Sequence, residues 1–219
     1  MSRLPAVLLA PIVLVQGSRL RKSIPRMQPA TPRTGGSGST RLLVLGDSSA
    51  VGTGVTGMAD ALAGQLARRL PGGAAWRVVG ANGLRSDEVL ALHLSEAVST
   101  PADVIVVLVG WNDALQLRSA RAFAASTGEL LDRLRAGNPD ARLVLVGTPQ
   151  FGRFAVYPQP LRAVLGAQAG GLTRAGARVA SARGVAFVTG FDGVHVSTDR
   201  FHPDATGYGE LADAVVAAL

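Results

Sequence analysis

An α/β fold, with parallel strands covered by helices on both sides, is predicted by three features of this sequence. Short runs of Val, Leu and Ile recur five times beyond residue 41, segments of helical length separate them, and each run is bounded by Gly, Pro, Asn or Asp. Runs that stay apolar at successive positions suit strands buried on both faces. Parallel neighbours need crossovers long enough to hold a helix, and these are nearly always right-handed.

The spacing predicts strands over residues 42–45, 76–79, 104–109, 143–146 and 185–188, hence a five-stranded parallel sheet. Helices are expected over 58–70, 86–98, 120–136, 161–183 and 206–219. The second of these carries Val89, Leu90, His93 and Leu94 on one face, which makes His93 a partly buried packing residue. In such sheets ligands bind beyond the carboxyl ends of the strands, so the loops after each strand are where chemistry is sought.

A chain of 219 residues is long enough for one well-filled domain and short for two. Its organisation is expected as an apolar and basic segment at 1–27, a linker at 28–40 and a single folded unit at 41–219. The linker is read from the run QPATPRTGGSGST, rich in Pro, Gly, Ser and Thr. Cysteine is absent, which excludes disulfides, thiolate nucleophiles and Cys-bound metal.

The net charge of +7 suggests a nucleic-acid partner until its distribution is considered. Arg3, Arg19, Arg21, Lys22, Arg26, Arg33 and Arg41 all lie in the first 41 residues, where there is no acid, leaving 15 bases against 15 acids beyond. The folded unit is formally neutral and has no aromatic-rich stacking segment, so no nucleic-acid partner is expected.

Residues 4–15 form an almost wholly apolar run, followed by basic residues from Arg19 to Arg26. The run falls short of the ~20 residues of a membrane span. Three readings stay open. The segment between residues 4 and 26 is an interfacial anchor drawn to anionic lipid, an arm packed on the domain, or a cleaved signal starting with Arg3. Arginines directly after the supposed cleavage point favour a cytoplasmic or membrane-associated protein over a secreted one.

Four loop segments carry candidate chemistry. After the first strand, Gly46-Asp47-Ser48-Ser49 places a serine in a glycine-flanked turn. A serine needs an adjacent base to act as a nucleophile, and helix or turn capping by Asp47 or Ser48 explains the segment alone almost as well. After the second strand, Gly83 can aim a backbone N–H at that serine. After the third, Asn112 can donate from its side chain to a developing oxyanion. Near the C-terminus, Asp199 and His202 stand three apart before Pro203, so the carboxylate can hold one imidazole nitrogen while the other faces the serine.

Taken in order, Gly-Asp-Ser at 46–48, Gly83, Gly-x-Asn-Asp at 110–113 and Asp-x-x-His at 199–202 resemble the blocks of the SGNH hydrolases, also called the GDSL esterase/lipase family. The resemblance covers the chain from Arg41 onward. It implies a flavodoxin-like three-layer α/β/α sandwich and a two-step acyl transfer with Ser48 as nucleophile, His202 as base and then acid, and Asp199 as its orienter. It further implies an oxyanion hole of Ser48 N–H, Gly83 N–H and the Asn112 side chain, a small-molecule ester as substrate, and no cofactor or metal.

Two patterns compete with these assignments. A second Asp-x-x-His occurs at Asp192-Gly193-Val194-His195. His202 is preferred because His-Pro followed by a helix matches the family's last block, which leaves His195 a structural or substrate-edge role. Gly52-x-Gly54-x-x-Gly57 spells a dinucleotide fingerprint, but six residues separate it from the strand and the next loop offers no acid for a ribose, so it is read as the exit from the serine turn.

The leading expectation is therefore a serine esterase acting on short-acyl or lipid-like carboxylic esters. The alternatives are a carbohydrate deacetylase of the same family, a non-catalytic binding module on the same fold and, from the glycine pattern alone, a nucleotide-binding oxidoreductase. Fold and triad leave the acyl and alcohol parts open. Oligomeric state is open as well.

Overall fold

The computed structural model describes residues 4–219, with side chains from residue 11 onward. Arg3, and with it the charged start of the signal reading, lies outside the described residues. Five parallel strands form the body of the sheet: β2 (Thr40–Gly46), β3 (Ala74–Gly80), β4 (Val104–Leu108), β5 (Arg142–Val146) and β6 (Ala186–Val188). A sixth, β1 (Thr34–Gly35), pairs antiparallel with β3, giving the order β1-β3-β2-β4-β5-β6. The expected five-stranded, wholly parallel sheet is thus six-stranded and mixed. Two residues in a Gly-rich run carry no strand periodicity, and it is the open edge of β3 that recruits them.

The apolar runs are continuous because each strand feeds two cores. Leu43, Leu45, Ile105 and Val107 face one side, together with α3 (Ser86–Val98), α5 (Ala120–Gly137) and α6 (Leu161–Ser181). Leu42, Val44, Val106 and Leu108 face the other, covered by α2 (Leu62–Arg69) and α7 (Ala205–Ala218). Side chains alternate across a strand, so a sheet covered on both faces calls for apolar residues at every position. This is a three-layer α/β/α sandwich.

The helix expected from residue 58 begins at Leu62. Met58 instead donates its N–H to the Thr31 carbonyl, which ties this segment to the chain before the sheet. A short helix, α4 (Trp111–Leu115), follows β4 where a loop was expected. At five residues it has too few positions to show a helical period.

Before the sheet, α1 (Leu4–Ser23) runs along the domain. Val13, Leu20 and Ile24 pack against the α3/α5/α6 core, and their spacing puts them on one helical face. Ile12, Leu14 and Val15 remain exposed on the remainder of the surface. Among the described residues, no helix is long and apolar enough to cross a membrane.

In register, Gly46 stands beside Gly80 on one side and Leu108 on the other. The chain therefore leaves β2, β3 and β4 at one level, and three loops converge at the carboxyl edge of the sheet.

Candidate active site

Ser48 occupies the turn after β2. The Ala50 and Val51 N–H groups both donate to the Asp47 carbonyl, and the Thr53 N–H donates to the Ser48 carbonyl, winding the segment into a tight coil. The Asp47 side chain is buried and accepts from the Ser49 N–H at 3.1 Å. Burial pushes its carboxyl up to about 7. The Ser49 and Trp111 N–H groups oppose that shift, and the nearby Asp113 charge reinforces it.

The loop before α7 brings the other two residues to Ser48. His202 Nε2 lies 2.9 Å from Ser48 Oγ, and His202 Nδ1 lies 2.7 Å from Asp199 Oδ2. The remaining Asp199 oxygen, Oδ1, accepts from the Ser197 hydroxyl at 2.8 Å, the Phe201 N–H at 2.8 Å and the His202 N–H at 3.0 Å. Burial alone would raise this carboxyl. The hydrogen bonds from the His202 ring, the His202 backbone and Ser197 together outweigh it and hold the group down at about 2. Asp199 is accordingly an anion held at the Nδ1 edge of the imidazole, an arrangement that leaves Nε2 able to take a proton from the serine hydroxyl.

The imidazole is also clamped by aromatic rings. It stacks on Trp111 at 5.5 Å between centroids and meets Phe201 edge-on at 5.1 Å. Trp111 thus both packs in the core and lines the cavity above Ser48.

Gly83 adopts φ +83°, a conformation that a side chain would strain, and its N–H donates to no described residue. The Ser48 N–H is likewise without a partner among the described residues. Asn112 Nδ2 donates to the Leu84 carbonyl at 3.0 Å, which spends one of its two amide hydrogens. Ser48, Gly83, Asn112 and His202 all border one cavity of about 530 Å³.

A buried network braces the Asn112 side of the site. Asp113 is fully buried and accepts from the Ser86 N–H at 2.9 Å, the Ser86 hydroxyl at 2.8 Å and the Arg118 guanidinium at 3.0 Å. It ties α4 to the first turn of α3. The sequence signal for it was the Asn-Asp pair itself, but its partners lie 27 and 5 residues away and are not readable from spacing.

His195 lies apart from this group, on the surface with Nε2 3.3 Å from Glu210 of α7. Its partner in the second Asp-x-x-His, Asp192, faces Arg153 at 3.3 Å. The glycine pattern has a packing cause. Gly52 and Gly54 take positive φ, and Gly54 lies against the Pro203 carbonyl and the His202 Cβ, so the serine turn and the histidine loop meet there. Among the described residues there is no cluster of three His, Cys, Asp or Glu suited to a metal ion.

An α/β/α sandwich with a serine, a histidine and an aspartate in series at the strand ends is the architecture of a serine ester hydrolase. The chain belongs to the GDSL-like lipase/acylhydrolase family, whose model matches residues 44–209. It is 29% identical over 243 residues to the GDSL-like esterase Rv1075c of Mycobacterium tuberculosis, an alignment covering 95% of this chain and 76% of that one. Among solved structures, the lipase Lip_vut3 from a goat rumen metagenome superposes with a TM-score of 0.68 at 20% identity, covering 82% of this chain and 97% of the other. The extracellular lipase of Streptomyces rimosus gives 0.62 at 19% identity, covering 83% and 100%. At these identities the two structures speak for the fold.

Proposed function

We propose that this esterase cleaves carboxylic esters through an acyl-Ser48 intermediate. His202 Nε2 takes the Ser48 proton as Oγ attacks the ester carbonyl, and returns it to the leaving alcohol. Asp199 holds the imidazole in the required tautomer and stabilises the imidazolium that forms. The carbonyl oxygen becomes an oxyanion facing the Ser48 N–H, the Gly83 N–H and the second Asn112 amide hydrogen. Water then attacks the acyl carbonyl carbon as it gives a proton to His202, and His202 returns that proton to Ser48 Oγ as the acyl–oxygen bond breaks and the acid leaves.

The observation that carries this reading is the continuous series from Asp199 to His202 to Ser48, at 2.7 and 2.9 Å, ending in a cavity beside two N–H groups with no partner among the described residues. The cavity is lined mainly by apolar side chains. That supports an acyl ester with hydrocarbon character over a deacetylase of carbohydrate, whose hydroxyls need polar partners when buried.

Incubation with a serine-directed alkyl phosphonate, followed by mass spectrometry, is expected to place the adduct on Ser48. His202→Ala is expected to reduce turnover of p-nitrophenyl butyrate by ~10⁴-fold or more, with His195→Ala staying within about twofold. An adduct elsewhere, or the reverse ranking of the two histidines, overturns the assignment.

A further inference from the structure

One wall of the cavity that Ser48 borders is not part of the sandwich. Leu20, Ile24, Pro25 and Met27 line it, and they come from the end of α1 and the chain that follows. The cavity is completed by Leu115, Tyr157, Leu161 and Leu165 on the domain side. Among the described residues no acidic side chain borders it, and Arg21 and Arg26 stand at its arm side.

The arm is tied at both ends across the cleft. At one end the Gln16 amide donates to the Gln159 carbonyl at 2.7 Å and accepts from the Leu161 N–H at 3.2 Å, fixing the helix to the start of α6. At the other, the Met27 carbonyl accepts from Asn82 Nδ2 at 3.1 Å, while Asn82 Oδ1 accepts from Thr53 Oγ1 at 2.7 Å, in the exit of the serine turn. Between these anchors the arm passes from the α6 side of the cavity to the Ser48 side with Leu20 and Ile24 turned inward.

We propose that residues 17–28 are a specificity-determining strap that closes an apolar acyl site over Ser48 and makes esters of medium-length acyl chains the substrate class. This rests on the reading of Ser48 as nucleophile. A preformed apolar wall captures a hydrocarbon chain by removing its surface from water, without first ordering a loop. At about 530 Å³ the space lies within the range of small-molecule sites and far exceeds the need of an acetyl group.

The test uses the full chain and p-nitrophenyl esters from acetate to laurate. In the native protein kcat/KM is expected to rise roughly fourfold per added methylene until the cavity is filled. Leu20→Trp, which fills the cavity, is expected to lower the octanoate-to-acetate ratio at least tenfold, whereas Leu20→Ala moves the optimum to longer chains. Ile24→Trp and Ile24→Ala repeat the comparison at a second position of the strap, and Ile12→Ser, outside the cavity, keeps the native profile. Opposite shifts from filling and trimming are not produced by a merely structural role.

A profile flat in acyl length, unmoved by either pair of variants, overturns the proposal. So does a profile that responds to the alkyl length of the alcohol in a series of alkyl acetates but not to the acyl chain. Failure of the underlying reading looks different: no ester of the series is then turned over faster by the native protein than by Ser48→Ala.

Discussion

Gly54 packs against the carbonyl oxygen of Pro203, and at this contact the turn that carries Ser48 meets the loop that carries His202. Its φ of +115° is one that L side chains rarely adopt, and a Cβ there would run into the Pro203 carbonyl. The approach of Ser48 and His202, 154 residues apart in the chain, thus depends on the absence of one side chain at this contact.

Gly54→Ala is therefore expected to cost about 1–3 kcal/mol in backbone strain alone, a fall of several degrees in Tm, and to reduce ester turnover beyond the loss of folded protein. Gly57→Ala, in the same G-x-G-x-x-G run, meets open space without a positive φ and is expected to behave as the native chain. Thermal melts and p-nitrophenyl acetate kinetics on the two variants check this. Equal behaviour would show that the contact does not position the site.

Asn112 uses one amide hydrogen to hold Leu84 and has one left. Asn112→Ala is expected to lower kcat by ~10²–10³-fold with little change in KM, since a donor to the oxyanion acts only as charge develops. Steady-state kinetics decide it, and a loss below about threefold would remove Asn112 from the oxyanion site.

Stability is expected to depend on pH through two buried carboxyls with opposite signs. Asp47, raised to about 7, keeps its proton in the folded protein while the unfolded chain releases it from about pH 4 upward. Its contribution is complete below pH 4 and is lost as pH rises to about 7. Asp199, held at about 2, contributes above pH 4 and loses its contribution as pH falls through about 2. Urea midpoints measured from pH 2 to 8 should show Asp47→Asn lacking the decline between pH 4 and 7, a difference on the order of a few kcal/mol. An identical slope in native and variant protein would mean that Asp47 does not hold its proton in the fold.

Much of this protein was legible in order along the chain. Apolar runs bounded by breakers located the five parallel strands, because a strand buried on both faces must be apolar at each position. The loops after those strands contained the candidate residues Ser48, Gly83, Asn112, Asp199 and His202, because ligands in such sheets bind at the carboxyl edge. The choice of His202 over His195 rested on the flanking Pro203 and the helix beyond it, and in the fold only His202 reaches Ser48.

What spacing could not convey are relations between segments far apart in sequence. The Pro/Gly/Ser run at 28–40 has the composition of a free linker, yet Ala30 is buried, Thr31 takes the Met58 N–H and Thr34–Gly35 pairs with the edge of β3. Composition reports how easily a chain bends, while unpaired hydrogen-bonding groups on a neighbouring edge decide where it settles. The apolar arm of residues 4–26 was readable as anchor or packed arm alike, with a cleaved signal as a third reading. Only the folded domain shows Leu20 and Ile24 turned into the cavity above Ser48. The sequence alone determined which loops present the candidate residues, since their identity and local turns are encoded nearby. The shape of the space in front of them belongs to the tertiary structure, because its walls come from six stretches of chain that meet only when the sheet is built.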